Sequence, residues 1–191
     1  MAQQILLVRH GETEWSRTGR HTGRTDIPLT AEGGLRAQAI GRAVQSHKLA
    51  VWTSPLARAR ETCGLAGFGD SAKVDEDLRE WDYGIYEGLT TLEIRRETPD
   101  WSVWLSPIIN GESLEQVADR ARRVIGRVAA AGDEDAALFG HGHILRILAA
   151  CWIGLPPVTG RLLALDTASI SVLGYERRTR VLRQWNFVPP S

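Results

Sequence analysis

Three short apolar runs constrain this chain more than any other feature, because each one ends in residues that carry chemistry. Ile5-Leu6-Leu7-Val8 runs into Arg9-His10-Gly11, Leu49 to Thr53 into Ser54-Pro55-Leu56-Ala57-Arg58, and Ala136 to Gly140 into His141-Gly142-His143. A run that is apolar throughout lacks the period-two alternation of a half-wet strand and reads as a strand of a parallel sheet covered on both faces. Helical patterns lie between the runs. Thr30 opens one whose apolar stripe is Leu35, Ala39, Ala43 and Val44, and Ser54-Pro55 has the form of an N-cap followed by proline at the first helical position. Ser113 and Gln116 have capping-box spacing ahead of Val117, Ala121, Val124, Ile125 and Val128, and Ile144 to Ile153 is apolar nearly all round. Leu162 to Leu165, Ala168 to Tyr175 and Val181 to Trp185 read as closing strands. The alternation predicts an α/β fold: a three-layer αβα sandwich, one domain over residues 1–191, with a mostly parallel sheet and helices on both faces.

Composition narrows the function classes. The 191 residues are 43% hydrophobic and 24% charged, the balance of a globular chain and not of a disordered one. Lys plus Arg and Asp plus Glu each number 23, so the net charge is zero and no global field favours nucleic acid or an anionic membrane. An anion site here has to be a local cluster. Cys63 and Cys151 are lone thiols in helical patterns, which make neither a disulfide framework nor a zinc signature. Met1-Ala2-Gln3-Gln4 shows no basic n-region or cleavage site, and the run from Ile147 to Leu155 is too short to span a bilayer. A cytoplasmic protein without a membrane or nucleic-acid partner is therefore expected.

In doubly wound sheets ligands bind at the carboxyl ends of the strands, where helix N-termini point free N–H groups outward. Two histidines, two arginines and two helix starts at those ends predict an anion site, and the forked guanidinium matches a dianionic phosphoryl group. His141-Gly142-His143 could instead be half of a zinc site, but the Asp or Cys companions and an H-E-x-x-H context are missing, so no metal is expected. His143 is then read as a structural neighbour of His141. No P-loop and no dinucleotide fingerprint is present. Phosphoryl transfer also needs an acid for the leaving alkoxide, and the acidic stretch from Asp75 to Gly88 offers Glu80, Asp82 and Glu87 as equal candidates. Flanking aromatics could desolvate such a carboxyl and raise its pKa.

Four segments in order resemble the histidine phosphatase superfamily, the phosphoglycerate mutase-like fold. Arg9-His10-Gly11-Glu12-Thr13 is similar to its R-H-G-E-T signature, and Ser54-Pro55-Leu56-Ala57-Arg58-Ala59 to its S-P-L-x-R-A element. Leu78 to Gly84 resembles the segment carrying its acid, and Gly140-His141-Gly142 the one carrying its second histidine. The resemblance implies His10 as a nucleophile forming a phosphohistidine, with Arg9, Arg58 and a cationic His141 holding the phosphoryl oxygens. It implies Glu80, rather than Asp82 or Glu87, as the acid and then the base. Ser16, His21, Thr22, Gly23 and Arg24 in the loop after the nucleophile, with Gly142, are the implied substrate contacts. Glu14-Trp15-Ser16, Thr22 to Thr30, Arg79 to Gly88 and His141 to Arg146 are similar to sugar-bisphosphatase and acid-phosphatase members of the superfamily. The implied activity is hydrolysis of small-molecule phosphate esters, sugar phosphates or bisphosphates, without a cofactor, and a homodimer is the assembly to test. Cofactor-dependent phosphoglycerate mutation is the alternative and a non-catalytic binding module a third reading. The mutase pattern is broken at Gly88-Leu89-Thr90-Thr91, which lacks its lysine, at Trp104-Leu105-Ser106, which lacks its arginine pair, and at Ser16, where mutases carry asparagine.

Overall fold

All three apolar runs become strands in the computed structural model, which describes residues 3–44, 49–132 and 134–190. Met1, Ala2, residues 45–48, Asp133 and Ser191 of the expected domain lie outside the described residues. In chain order the strands are β1 (Ile5–Arg9), β2 (Ala50–Thr53), β3 (Lys73–Val74), β4 (Ala136–Gly140), β5 (Ile170–Glu176) and β6 (Thr179–Phe187), and they form one sheet in the order β3-β2-β4-β1-β5-β6. β3, β2, β4 and β1 pair in parallel, and β5 and β6 close the sheet antiparallel. The helices are α1 (Glu14–Arg17), α2 (Ala31–Val44), α3 (Ala57–Leu65), α4 (Thr91–Glu97), α5 (Leu114–Ala130) and α6 (Gly142–Trp152).

Strand periodicity builds the three layers. Leu6 and Val8 point to one face, where they meet Ile40 and Val44 of α2 and Cys63 of α3. Ile5 and Leu7 point to the other, against Val117 and Val124 of α5 and Ile144 and Leu148 of α6. Each fully buried aliphatic side chain contributes roughly 1.5–3 kcal/mol, so both faces hold the sheet. The α5 start forms as its sequence dictates: Ser113 Oγ accepts from the Gln116 amide at 3.2 Å, and Gln116 Oε1 accepts from the Ser113 amide at 2.7 Å.

Three local expectations fail for identifiable reasons. Leu35 is 57% exposed, because α2 buries the face of Gly33, Ala37, Ile40 and Val44 instead. Ser54 does not cap α3, which begins at Ala57. The carboxylate of Asp26, from the loop after β1, takes up the Ala57 amide at 2.9 Å. Leu162 to Leu165 is not a strand: Pro157 opens a 3₁₀ turn that runs to Leu162. Side chains then hold the carbonyls beyond it, with Arg9 donating to Leu165 O and Trp185 to Ala164 O.

Candidate active site

Main-chain pairing sets three turns side by side. Arg9 lies opposite Gly140 and Thr53 opposite Phe139, so His10, Ser54 and His141 leave the sheet at one level. The His10 amide donates to Gly140 O at 3.0 Å, the Ser54 amide to Phe139 O at 2.9 Å, and His10 O accepts from Ala168 at 3.0 Å. Gly11 donates to Thr62 Oγ1 at 3.0 Å. A Cβ on Gly11 would stand 2.4 Å from Gly33 O, so only glycine lets this turn press against α2. The backbone that carries His10 is held from several sides.

That anchoring also chooses the tautomer. His10 Nδ1 lies 2.7 Å from Gly11 O, and a carbonyl only accepts, so Nδ1 bears the proton and Nε2 keeps a lone pair. Burial first, then the Arg58 and Arg9 charges, hold the imidazole pKa well below its usual value. His10 is a neutral, 5% exposed imidazole with its nucleophilic nitrogen unprotonated.

Arg58 lies fully buried behind it. Its Nε donates to His141 Nδ1 at 3.1 Å, and its terminal nitrogens donate to Thr25 O, Thr22 O and Gly23 O at 3.0, 3.0 and 3.1 Å. Four of the five N–H donors of the guanidinium are thereby engaged. Because His141 Nδ1 accepts, the ring is neutral and its Nε2–H donates to Ser54 Oγ at 2.8 Å. Burial, then Arg58 and His10, hold its pKa well below the usual value. The expected imidazolium is absent for a plain reason: a cation beside the Arg58 guanidinium in a dry site is unfavourable.

Glu80 departs from expectation in the other direction. Burial alone would raise its pKa, but the hydrogen bonds and charge of His143 outweigh that and hold it well below the usual range. Geometry gives the cause. Oε1 accepts from the Trp81 and Ile144 amides at 3.0 and 3.0 Å, and Oε2 from the His143 amide at 2.9 Å. Two of those donors belong to the first turn of α6, so Glu80 caps the helix end where a phosphate was expected. With Asp26 on α3, both helix N-termini already hold carboxylates, and the anion site is left to side chains.

His10 and Glu80 open into a cavity of about 180 Å³, lined also by Arg9, Ser16, His21, Thr22, Tyr83, Gly142 and His143, with Arg20 and Arg146 at its walls. Arg9 Nε is buried there and has no hydrogen-bond partner among the described residues, a donor left for a ligand. Tyr83 Oη and His143 Nδ1 are 2.6 Å apart, and burial keeps the phenol protonated by pushing its pKa well up. A roomier cavity of about 420 Å³ beside α3 carries neither histidine nor Glu80. Among the described residues, no three His, Cys, Asp or Glu side chains gather as a metal's ligand set.

The sequence profile of the histidine phosphatase superfamily, branch 1, matches residues 5–188. The chain belongs to that superfamily. An acid phosphatase of Mycobacterium tuberculosis is 41% identical over 183 residues, covering 94% of this chain and 90% of that one. The sedoheptulose 1,7-bisphosphatase of Saccharomyces cerevisiae is 36% identical over 188 residues, 81% of this chain and 69% of that one. A probable phosphoglycerate mutase of Yersinia enterocolitica is 32% identical over 196 residues, 95% of this chain and 89% of that one. Among solved structures, a mycobacterial glucosyl-3-phosphoglycerate phosphatase in complex with vanadate superposes with a TM-score of 0.88 at 27% identity, covering 97% of this chain and 99% of that one.

Within this histidine phosphatase, the residues read from sequence divide into three groups. Arg9, His10, Glu80, Ser16, His21, Thr22 and Gly142 line the cavity. Arg58 and His141 stand behind His10, with ring centroids of the two histidines 5.1 Å apart. Gly23 and Arg24 are turned away: the Gly23 amide donates to the Glu87 carboxylate at 2.9 Å, and the exposed Arg24 pairs with Asp82 at 2.8 Å. Sequence reasoning missed Arg20, Tyr83 and Arg146 as cavity walls and gave His143 a structural role only. Arg146 had a usable signal, since it follows Gly142 by four residues on one helix and so shares its face.

Proposed function

We propose that this histidine phosphatase is a phosphomonoesterase that cleaves sugar phosphates through a phosphohistidine on His10. The neutral His10 ring, its Nδ1 pinned to Gly11 O and its Nε2 lone pair open to an arginine-walled cavity, carries the reading. Nε2 attacks phosphorus in line, a P–N bond forms as the P–O ester bond breaks, and Glu80 protonates the leaving alkoxide. Water then attacks the phosphohistidine and gives its proton to Glu80, and the P–N bond returns its electrons to His10. Arg9 Nε–H is the free donor for the phosphoryl oxygens, His141 Nε2–H joins it by turning from Ser54 Oγ to the incoming phosphate, and Arg58 supports that charge from behind through His141 Nδ1. Glu80 starts as a carboxylate. A phosphate dianion beside it raises its pKa, and an ester monoanion, favoured below about pH 6, brings the proton with it. No metal has a part in these steps.

Hydrolysis is favoured over mutation because Thr91 stands where the mutase pattern has lysine, so the intermediate is left to water. The assay is phosphate release from sugar phosphates and p-nitrophenyl phosphate after exhaustive chelation, beside interconversion of phosphoglycerates with added bisphosphoglycerate. Release that survives chelation is expected. Bisphosphoglycerate-dependent isomerisation faster than hydrolysis would replace this reading with the mutase one.

A further inference from the structure

Arg146 is a largely buried cation to which the described residues offer no anion in an ion pair. Its guanidinium lies over the Trp104 ring, 4.6 Å from the centroid, while Nε donates to Gly160 O at 3.0 Å and Nη2 to Arg161 O at 3.1 Å. These carbonyls fix its direction without neutralising its charge. Among the described residues no carboxylate forms an ion pair with it, and Glu80 acts on it only through its field. Arg20, the other cation of the outer cavity, differs in this respect: Glu93 stands 3.9 Å away. A charge withdrawn from water without a partner is costly unless a ligand completes it.

Position says what kind of ligand. Gly142 and Arg146 share one face of α6, and neighbours three or four residues apart on a helix stand about 5–6 Å apart at Cβ. A Cβ on Gly142 would lie 3.5 Å from the Arg9 guanidinium and 3.6 Å from Glu80 Oε2, so Gly142 borders the reacting group. Arg146 therefore stands about one turn beyond the phosphoryl end, with both Nη1 hydrogens and one on Nη2 uncommitted. We infer that Arg146 binds a second anionic group of the substrate, a phosphate or a carboxylate a few bonds from the ester that is cleaved. The inference rests on the phosphomonoesterase reading and adds to it that doubly anionic esters are the preferred class.

Binding to the His10→Ala chain, which cannot turn over, separates the two claims. Isothermal titration compares fructose 1,6-bisphosphate with fructose 6-phosphate, and 3-phosphoglycerate with glycerol 3-phosphate. In at least one pair the doubly anionic member binds about tenfold tighter, the scale of a charge-assisted guanidinium contact, and the pair that shows it tells phosphate from carboxylate. Arg146→Gln keeps an amide donor for Gly160 O and abolishes the advantage. In the active chain it raises KM for that ester about tenfold at nearly constant kcat and leaves p-nitrophenyl phosphate within about twofold. Should Arg146→Gln fail to fold, Arg146→Lys keeps the point charge without the fork, and its residual advantage disappears as salt rises. Equal binding within both pairs, an advantage that survives Arg146→Gln, one that ignores salt in Arg146→Lys, or an equal loss on p-nitrophenyl phosphate overturns the inference. A chain that hydrolyses no ester yet shows the paired difference in binding sinks the phosphatase reading, and with it the claim about the substrate class, while it upholds Arg146 as the contact for a second anion of a bound ligand.

Discussion

The two ends of the cavity are built on different physical plans. At the inner end, His10, Ser54 and His141 sit on turns that continue the hydrogen-bond ladder of adjacent strands, and the sheet positions them before any side chain is chosen. At the outer end, Arg20, His21, Tyr83 and Arg146 arrive from separate loops and from α6, each fixed by a few contacts of its own. The outer end carries none of the ladder that holds His10, and under the inference drawn for Arg146 it is the end that selects an ester.

The largest effect belongs to the inner end. His10→Ala is expected to lower turnover by about 10⁴-fold or more, and equally for every ester, because the nucleophile and its donors act as a unit. A loss that varied with the leaving group would break the division between the two ends, and kcat on alkyl and aryl esters measures it. Glu80→Gln comes next. It slows alkyl phosphates by roughly 10²–10⁴-fold and p-nitrophenyl phosphate much less, since that leaving group needs little protonation.

Acid separates the ends further. His10 must be neutral to attack, and its pKa lies well below the usual value, so the acid limb of the kcat/KM profile falls well under pH 6.5. A limb at or above that value would mean that burial and the arginines do not control the ring. At the outer end, burial and then His143 lower the His21 pKa to about 4. The unfolded chain protonates this ring from about pH 6.5 downward while the folded one does not, so stability falls as pH drops through that window and levels off below about 4. The contribution is on the order of 2–3 kcal/mol. Urea unfolding at pH 7 and pH 4.5 should show a smaller drop for His21→Gln than for the wild type; equal drops would remove His21 from the acid response.

Much of this was legible in sequence where the physics is local. Apolar runs gave the central strands, the Ser113 capping box started α5, and strand ends pointed to His10 and His141. Long-range partners were not legible. Nothing near Ala57 announces that Asp26 will cap it, and nothing near Gly142 announces that Glu80 will occupy the α6 terminus. The ionisation states of Glu80 and His141 were misjudged for the same reason, because backbone amides and one buried guanidinium decide them. β3 was invisible at two residues, and Arg24 looked like a substrate contact because the loop sequence does not reveal its Asp82 partner. Arg24→Ala is accordingly the smallest effect expected, within about twofold in kcat/KM and under about 1 kcal/mol in stability, as for an exposed ion pair.

The nucleophile itself can be tested directly. Reaction with an ester carrying radiolabelled phosphate, stopped in base within the first turnover and followed by peptide mapping, should leave acid-labile label on the peptide that contains His10 and none in the His10→Ala chain. Label on Ser54, on His141 or on His143, or no covalent phosphate during fast turnover, would contradict the covalent role of His10.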